Sequence, residues 1–201
     1  MVIVTGCNES SWHTMMLDKM VASSKRVQPA VEVEVLKFSG DATAATKMKP
    51  ISMLQVQAIS KATVAWVDCD MLIRKPLIPL MESVTGTGLA VMHRPDLDER
   101  FKFNTGLVCV GYSLATAMLM RHWLGISDTI DSFLGEQTAL WRAYQKMSDS
   151  IVLSPLPDTY NDCHFRPGSH VWHAKGKSLA KHATQVVLDE WGIDENNKVR
   201  N

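Results

Sequence analysis

An almost wholly apolar run, Ala62 to Val67, ends abruptly on Asp68-Cys69-Asp70. A run of that kind reads as a strand buried on both faces, the state of a central strand in a parallel sheet. Two similar segments precede it. Val2 to Thr5 is a short apolar strand that opens onto Gly6-Cys7-Asn8, and Val31, Val33 and Val35 alternate with Glu32 and Glu34 as a strand with one wet face. Between the first two strands, Ser10 or Ser11 caps a helix carrying Trp12, Met16 and Met20 at four-residue spacing. Between the second and third, a loop from Ser39 to Lys49 leads to Pro50 as a first helical position, with Ile51, Leu54 and Ala58 as the buried stripe. The order strand–helix–strand–helix–strand implies an α/β sheet of doubly wound type, in which ligands lie beyond the carboxyl ends of the strands. Asp68 and Asp70 fall there. Residues two apart on a strand share a face, so the pleat predicts that the two carboxylates converge. Paired carboxylates are hard oxygen ligands suited to Mn2+ or Mg2+, and such an ion can hold a diphosphate.

The remainder is less regular. Leu89 to Met92, Gly106 to Val110 and Ile151 to Leu153 read as strands, Leu114 to Leu124 and Glu136 to Met147 as helices, and Val171-Trp172-His173 precedes a small C-terminal region. The 201 residues suit one domain, with the second half a lobe folded onto the first. Twenty-one basic residues balance twenty-one acidic ones, which argues against a general affinity for nucleic acid or an anionic membrane. No signal-like segment or run of about 18 apolar residues appears, so the expected setting is cytoplasmic, without a membrane span. Cys7, Cys69, Cys109 and Cys163 are widely spread and read as free thiols. The spacing of Cys163, His164, His170 and His173 follows no familiar zinc finger.

Four further segments follow the aspartates in order: Phe103-Asn104-Thr105-Gly106, Gly135-Glu136-Gln137, Leu156-Pro157-Asp158-Thr159-Tyr160-Asn161 and His173-Ala174-Lys175-Gly176-Lys177. This succession resembles the GT-A fold glycosyltransferases, most closely family 8, the group of glycogenin and the bacterial lipooligosaccharide galactosyltransferases. The likeness spans about Val2 to Lys177. It implies a Rossmann-like nucleotide-sugar-binding half over residues 1–70, a mixed central sheet and a smaller acceptor-side and catalytic half over residues 71–201. It further implies transfer of a sugar from a nucleoside-diphosphate donor, commonly a UDP-hexose, to a glycan or protein acceptor, with retention at the anomeric carbon. By the same resemblance Asp68, Asp70 and His173 are the metal ligands for Mn2+ or Mg2+. Gln137, Glu136 and Asn104 attend the sugar, and Thr5, Cys7, Asn8, Lys49, Asp68, Gly176 and Lys177 hold the nucleotide and its phosphates. The family's usual lysine lies further past the glycine, so Lys175, Lys177 and Lys181 all stand as candidates for the phosphate. Lys47 and Lys49 also read as ordinary loop lysines. Asp158 and Asp162 lie in a loop where a general base would be sought. The oligomeric state is not legible from the sequence.

Two other classes share the central feature. A haloacid-dehalogenase-like phosphatase also carries Asp-x-Asp after an apolar strand, but on its first strand, whereas here the pair follows the third. A non-catalytic nucleotide-sugar-binding module would keep the same residues without turnover.

Overall fold

A computed structural model describes residues 1–8, 10–38, 42–130, 132, 135–174 and 184–191, with the side chains of residues 8, 11 and 42–46 excluded. The first half alternates as the sequence predicts: β1 (Val2–Asn8), α1 (Ser11–Val27), β2 (Glu32–Phe38), α2 (Ala42–Ser60) and β3 (Val64–Val67). Ser10 caps α1 by accepting a hydrogen bond from the His13 backbone N–H, while Lys25 and Arg26 in the last turn complement the negative helix end. After β3 come β4 (Met71–Ile73), α3 (Ile78–Ser83), β5 (Gly88–His93), β6 (Phe103–Val110), α4 (Leu114–Ser127), α5 (Gly135–Met147), β7 (Val152–Pro155), β8 (Val171–His173) and α6 (Gln185–Trp191).

Six strands form one mixed sheet in the order β2-β1-β3-β6-β5-β7. β1 is parallel to both β2 and β3, while β6 runs antiparallel to β3 and to β5. Strand alternation divides the core into two layers. Ile3, Ala65 and Val67 face one way and pack with Leu17 and Met20 of α1. Val4, Val64 and Trp66 face the other and pack with Met53 of α2, Trp123 of α4 and Leu140 of α5. With helices on both faces, β3 and β6 are buried along their full length, which explains the apolar runs Val64–Val67 and Gly106–Val110. β2 lies at the sheet edge and departs from the expected alternation: Val35 is exposed, while Val33 packs on one face and Leu36 and Phe38 on the other.

Pro50 corrects the sequence reading. It does not open a helix after a loop from Ser39 to Lys49; α2 already begins at Ala42 and carries Pro50 in its interior. An interior proline forfeits the bond to the carbonyl four residues back, a local cost of about 3 kcal/mol. Tertiary gains offset it: Met53 is fully buried, and Lys49, immediately before the proline, forms two buried ion pairs.

Next to the main sheet, β4 and β8 form a two-stranded antiparallel ribbon with Met71 opposite His173, Leu72 opposite Trp172 and Ile73 opposite Val171. Leu72 and Trp172 pack with Val187, Leu188 and Trp191 of α6. Arg74 fastens this corner by lying 4.0 Å over the Trp172 ring and pairing with Glu190 at 2.6 Å. Trp12 packs against the same cluster as a half-buried core residue.

Candidate active site

Because β1 and β3 are parallel neighbours, their carboxyl ends emerge together, placing Thr5 and Cys7 beside the segment that holds Asp68 and Asp70. The two aspartates are not on a strand. β3 ends at Val67, and a turn closed by the Met71 N–H donating to the Asp68 carbonyl at 3.1 Å carries them. The turn, rather than the pleat, therefore brings the carboxylates together. The ribbon then supplies the third group. Pairing of Met71 with His173, reinforced by the Ala174 N–H donating to the Asp70 carbonyl at 2.9 Å, sets the imidazole against Asp70. Asp68, Asp70 and His173 each present a ligand atom, and those atoms lie within 4.8 Å of one another. His173 Nε2 is 3.2 Å from Asp70 Oδ1. Two carboxylates and one imidazole form a donor set suited to a divalent ion of the Mn2+ kind. The aspartates keep about a quarter of their side-chain surface open, whereas the histidine is buried. Burial opposes ionisation of Asp70, but the imidazole of His173 and the Lys49 ammonium outweigh it and hold the carboxyl below its ordinary range.

A second cluster adjoins the first. Lys49 reaches in from α2 to contact Asp68 Oδ1 at 2.7 Å, Glu136 Oε1 at 2.9 Å and the Thr105 carbonyl at 3.3 Å. It is a buried structural cation, not a solvated loop lysine. Burial alone would lower its pKa, but Asp68 and Glu136 reverse the effect and raise it. Glu136 stands at the start of α5, whose Trp123 neighbour on α4 donates its indole N–H to the Glu136 carbonyl at 2.9 Å. Thr105 Oγ1 donates to Glu136 Oε1 at 2.7 Å, so that oxygen is fully engaged, while the buried Oε2 has no hydrogen-bond partner. Burial, and then the charge of Asp68, push the Glu136 carboxyl up against the opposing pull of Lys49. Thr5 Oγ1 is likewise buried without a partner, and Gln137 is buried beside Glu136.

Asn104 and Gly106 lie on β6, joined to the turn that carries Asp68 and Asp70 by the Asp68 N–H donating to the Gly106 carbonyl at 2.8 Å. Gly106 is required for space: a Cβ there would lie 2.4 Å from Met71 Cε and 3.0 Å from His173 Cε1. Gly176 and Lys177, with Lys175 and Lys181, lie outside the described residues, as does the side chain of Asn8. Asp162 is fully buried and accepts from the backbone N–H groups of His164 and Arg166 and from the Ser169 hydroxyl. Asp158 is exposed and pairs with Arg166. Asp162 thus organises its own loop. Cys163, His164 and His170 do not join His173 as a metal-ligating group among the described residues, and none of the four cysteines is in a disulfide.

Sequence reasoning missed Trp66 and Thr105. The Trp66 indole N–H donates to Asp68 Oδ1 at 2.7 Å, so this oxygen is held by both Trp66 and Lys49. The two-residue spacing of Trp66 and Asp68 was a usable signal; for Thr105 there was none.

No family model matches the sequence, and no curated protein matches it. The fold does have counterparts among solved structures. A glycosyltransferase involved in glycosylation of the major capsid of PBCV-1 superposes with a TM-score of 0.65 over 90% of this chain and 98% of its own, at 10% identity. The glycosyltransferase GlyE of Streptococcus pneumoniae TIGR4 gives 0.67 over 97% of this chain at 12% identity; this chain spans 62% of it. The galactosyltransferase LgtC, solved with donor and acceptor sugar analogs, gives 0.50 over 94% of this chain and 92% of its own, at 13% identity. The chain has the fold of these glycosyltransferases. This GT-A type architecture puts the Asp68–Asp70–His173 cluster at the carboxyl edge of the sheet. No helix among the described residues is long and apolar enough to cross a membrane.

Proposed function

We propose that this chain is a glycosyltransferase that moves a hexose from a UDP-sugar to a hydroxyl of a glycan or protein acceptor, with retention. The observation that carries the reading is the juxtaposition of two clusters: Asp68, Asp70 and His173 with ligand atoms within 4.8 Å, and the Lys49–Glu136 pair bonded to the same Asp68. Leaving-group charge and sugar recognition thereby fall side by side, as cleavage of a donor's anomeric bond requires.

The donor set fits Mn2+ or Mg2+, which when bound would neutralise charge growing on the departing diphosphate. The remaining work belongs to the protein. Lys49 and Trp66 hold Asp68 Oδ1, which fixes the carboxylate's rotation and leaves Oδ2 as the oxygen available to a cation. Glu136 is clamped through Oε1, so its unpartnered Oε2 is the natural acceptor for a sugar hydroxyl. Gln137, next on the same helix turn, takes the place beside the reacting carbon. Fixing the sugar between these groups is the orienting contribution to rate. Because Asp162 is spent on its own loop and Asp158 on Arg166, neither offers an obvious base for inversion, which supports retention. A phosphatase reading would need Asp68 as nucleophile, yet its Oδ1 is held by two hydrogen bonds.

The test is a panel of nucleotide sugars scored for Mn2+-dependent thermal stabilisation, since a ligand specific to the native state raises apparent stability by mass action. Slow donor hydrolysis is then measured with the best ligand. Asp70→Ala should abolish Mn2+-dependent UDP binding while the protein stays folded, and Gln137→Ala should spare binding but lower turnover. Unchanged UDP binding in Asp70→Ala would remove the cation site from the mechanism.

A further inference from the structure

Asn161 closes the Leu156–Asn161 segment and is buried at the end of a short 3-10 turn, Asp158–Tyr160. Its side-chain hydrogen bonds go not to Asp68 or Asp70 but to Asn104 and to the His173 ring beside them. The chain of hydrogen bonds has a fixed direction, set at one end by backbone. The Gly106 N–H can only donate, and it points at Asn104 Oδ1 from 3.1 Å, so that atom is the acceptor oxygen. The Asn161 group hydrogen-bonded to this oxygen must therefore be the donor, Nδ2. The other end of the same carboxamide, Oδ1, consequently faces His173 Nδ1 at 2.6 Å. An amide oxygen only accepts, which requires the proton to be on Nδ1.

We infer that Asn161 is a positioning residue for the cation site: backed by Asn104 and the Gly106 amide, it holds a proton of His173 on Nδ1 and so makes Nε2, which stands 3.2 Å from Asp70 Oδ1, the nitrogen that a cation would take up. Ligating histidines are commonly oriented by an acceptor on the second ring nitrogen, and loss of that acceptor weakens metal binding. The arrangement also assigns the Asn104 oxygen to this relay, so that only its amide nitrogen can serve a sugar. The inference rests on the cation reading above, and the experiment separates the two.

Mn2+ alone is titrated against wild type, His173→Ala, Asn161→Ala and Asn161→Asp, with free Mn2+ read by electron paramagnetic resonance and metal-free stability read by urea unfolding. Asn161→Ala should weaken Mn2+ binding roughly 10–100-fold. Asn161→Asp should stay within about threefold of wild type, because a carboxyl oxygen still accepts from Nδ1. It should nevertheless lose stability, since the bond to Asn104 is compromised. Affinity and stability would thus rank the two variants differently. Wild-type affinity in Asn161→Ala, with binding lost in His173→Ala, overturns the inference and leaves the cation site standing. Equal loss of affinity in both Asn161 variants, following their stability, also overturns it by making the residue a packing element. Failure of wild type to bind, or undiminished binding in His173→Ala, overturns the cation reading and the inference with it.

Discussion

Lys49→Met keeps the aliphatic stem in α2 but removes the ammonium from between Asp68 and Glu136. The lysine side chain is 5% exposed and Glu136 8%, so water cannot replace the lost charge at Glu136. Asp68 is 24% exposed and can recover some solvation. Breaking a buried pair from one side costs about 3–5 kcal/mol, and the openness of Asp68 places this case near 3. With a urea dependence near 2 kcal/mol/M, the unfolding midpoint at neutral pH should fall by about 1.5 M. The loss also has a pH signature. The Glu136 pKa is already raised in the native protein, and removing Lys49 deletes a contribution that lowered it, so it rises further. A carboxyl with a raised native pKa favours folding when protonated, and that advantage is lost as pH rises through the native value. The gap between variant and wild type should therefore be large at neutral pH and narrow as pH falls toward the ordinary glutamate range. Adding Glu136→Gln should return part of the loss, a coupling read from the double-mutant cycle. A deficit below about 1 kcal/mol at neutral pH, or one independent of pH, would refute the charge argument, because it would fall in the range of an exposed pair.

Three further outcomes are expected. Asp162→Asn should cost about 1.5–3 kcal/mol in urea unfolding at neutral pH, since its bonds are charge-assisted. Burial opposes ionisation there, but Ser169, Arg166 and two backbone amides lower the native pKa, so wild type should lose its advantage as pH drops below the ordinary aspartate range. Gly106→Ala places a methyl against Met71 and His173; about 1–3 kcal/mol of lost stability, together with weaker Mn2+ binding by electron paramagnetic resonance, is expected. A thiol reagent applied to the native protein should modify Cys163 first, because Cys7, Cys69 and Cys109 are buried and burial raises the thiol pKa of the last two; peptide mapping that found Cys109 first would contradict this.

Elements with strong periodicity were legible from the chain. The apolar runs of β1, β3 and β6 are there because both sheet faces are covered, and Trp12, Met16 and Met20 mark the inner face of α1. β4 and α3 were not. β4 is three residues long and α3 six, too few to show a period. Pro50 misled for a different reason: its local preference is real, but the buried Lys49 and Met53 outweigh it. At the candidate site, the ordered motifs pointed to Asp68, Asp70, His173, Glu136 and Asn104, all of which the fold gathers into one region. Their links through Trp66, Thr105 and Asn161 emerged only in three dimensions.

An α/β sheet with carboxylates at its edge follows from the residues alone, because strand burial and helix spacing are local patterns written every two or four residues. Such patterns could not determine that His173 would face Asp70 across about a hundred positions, nor that Lys49 would stand between Asp68 and Glu136. Those meetings depend on the β4–β8 register and on the docking of α2 and α5 over the sheet, both set by long-range packing. Chemistry at the site follows from distances of a few ångströms between groups far apart in the chain, and only the folded core fixes such distances.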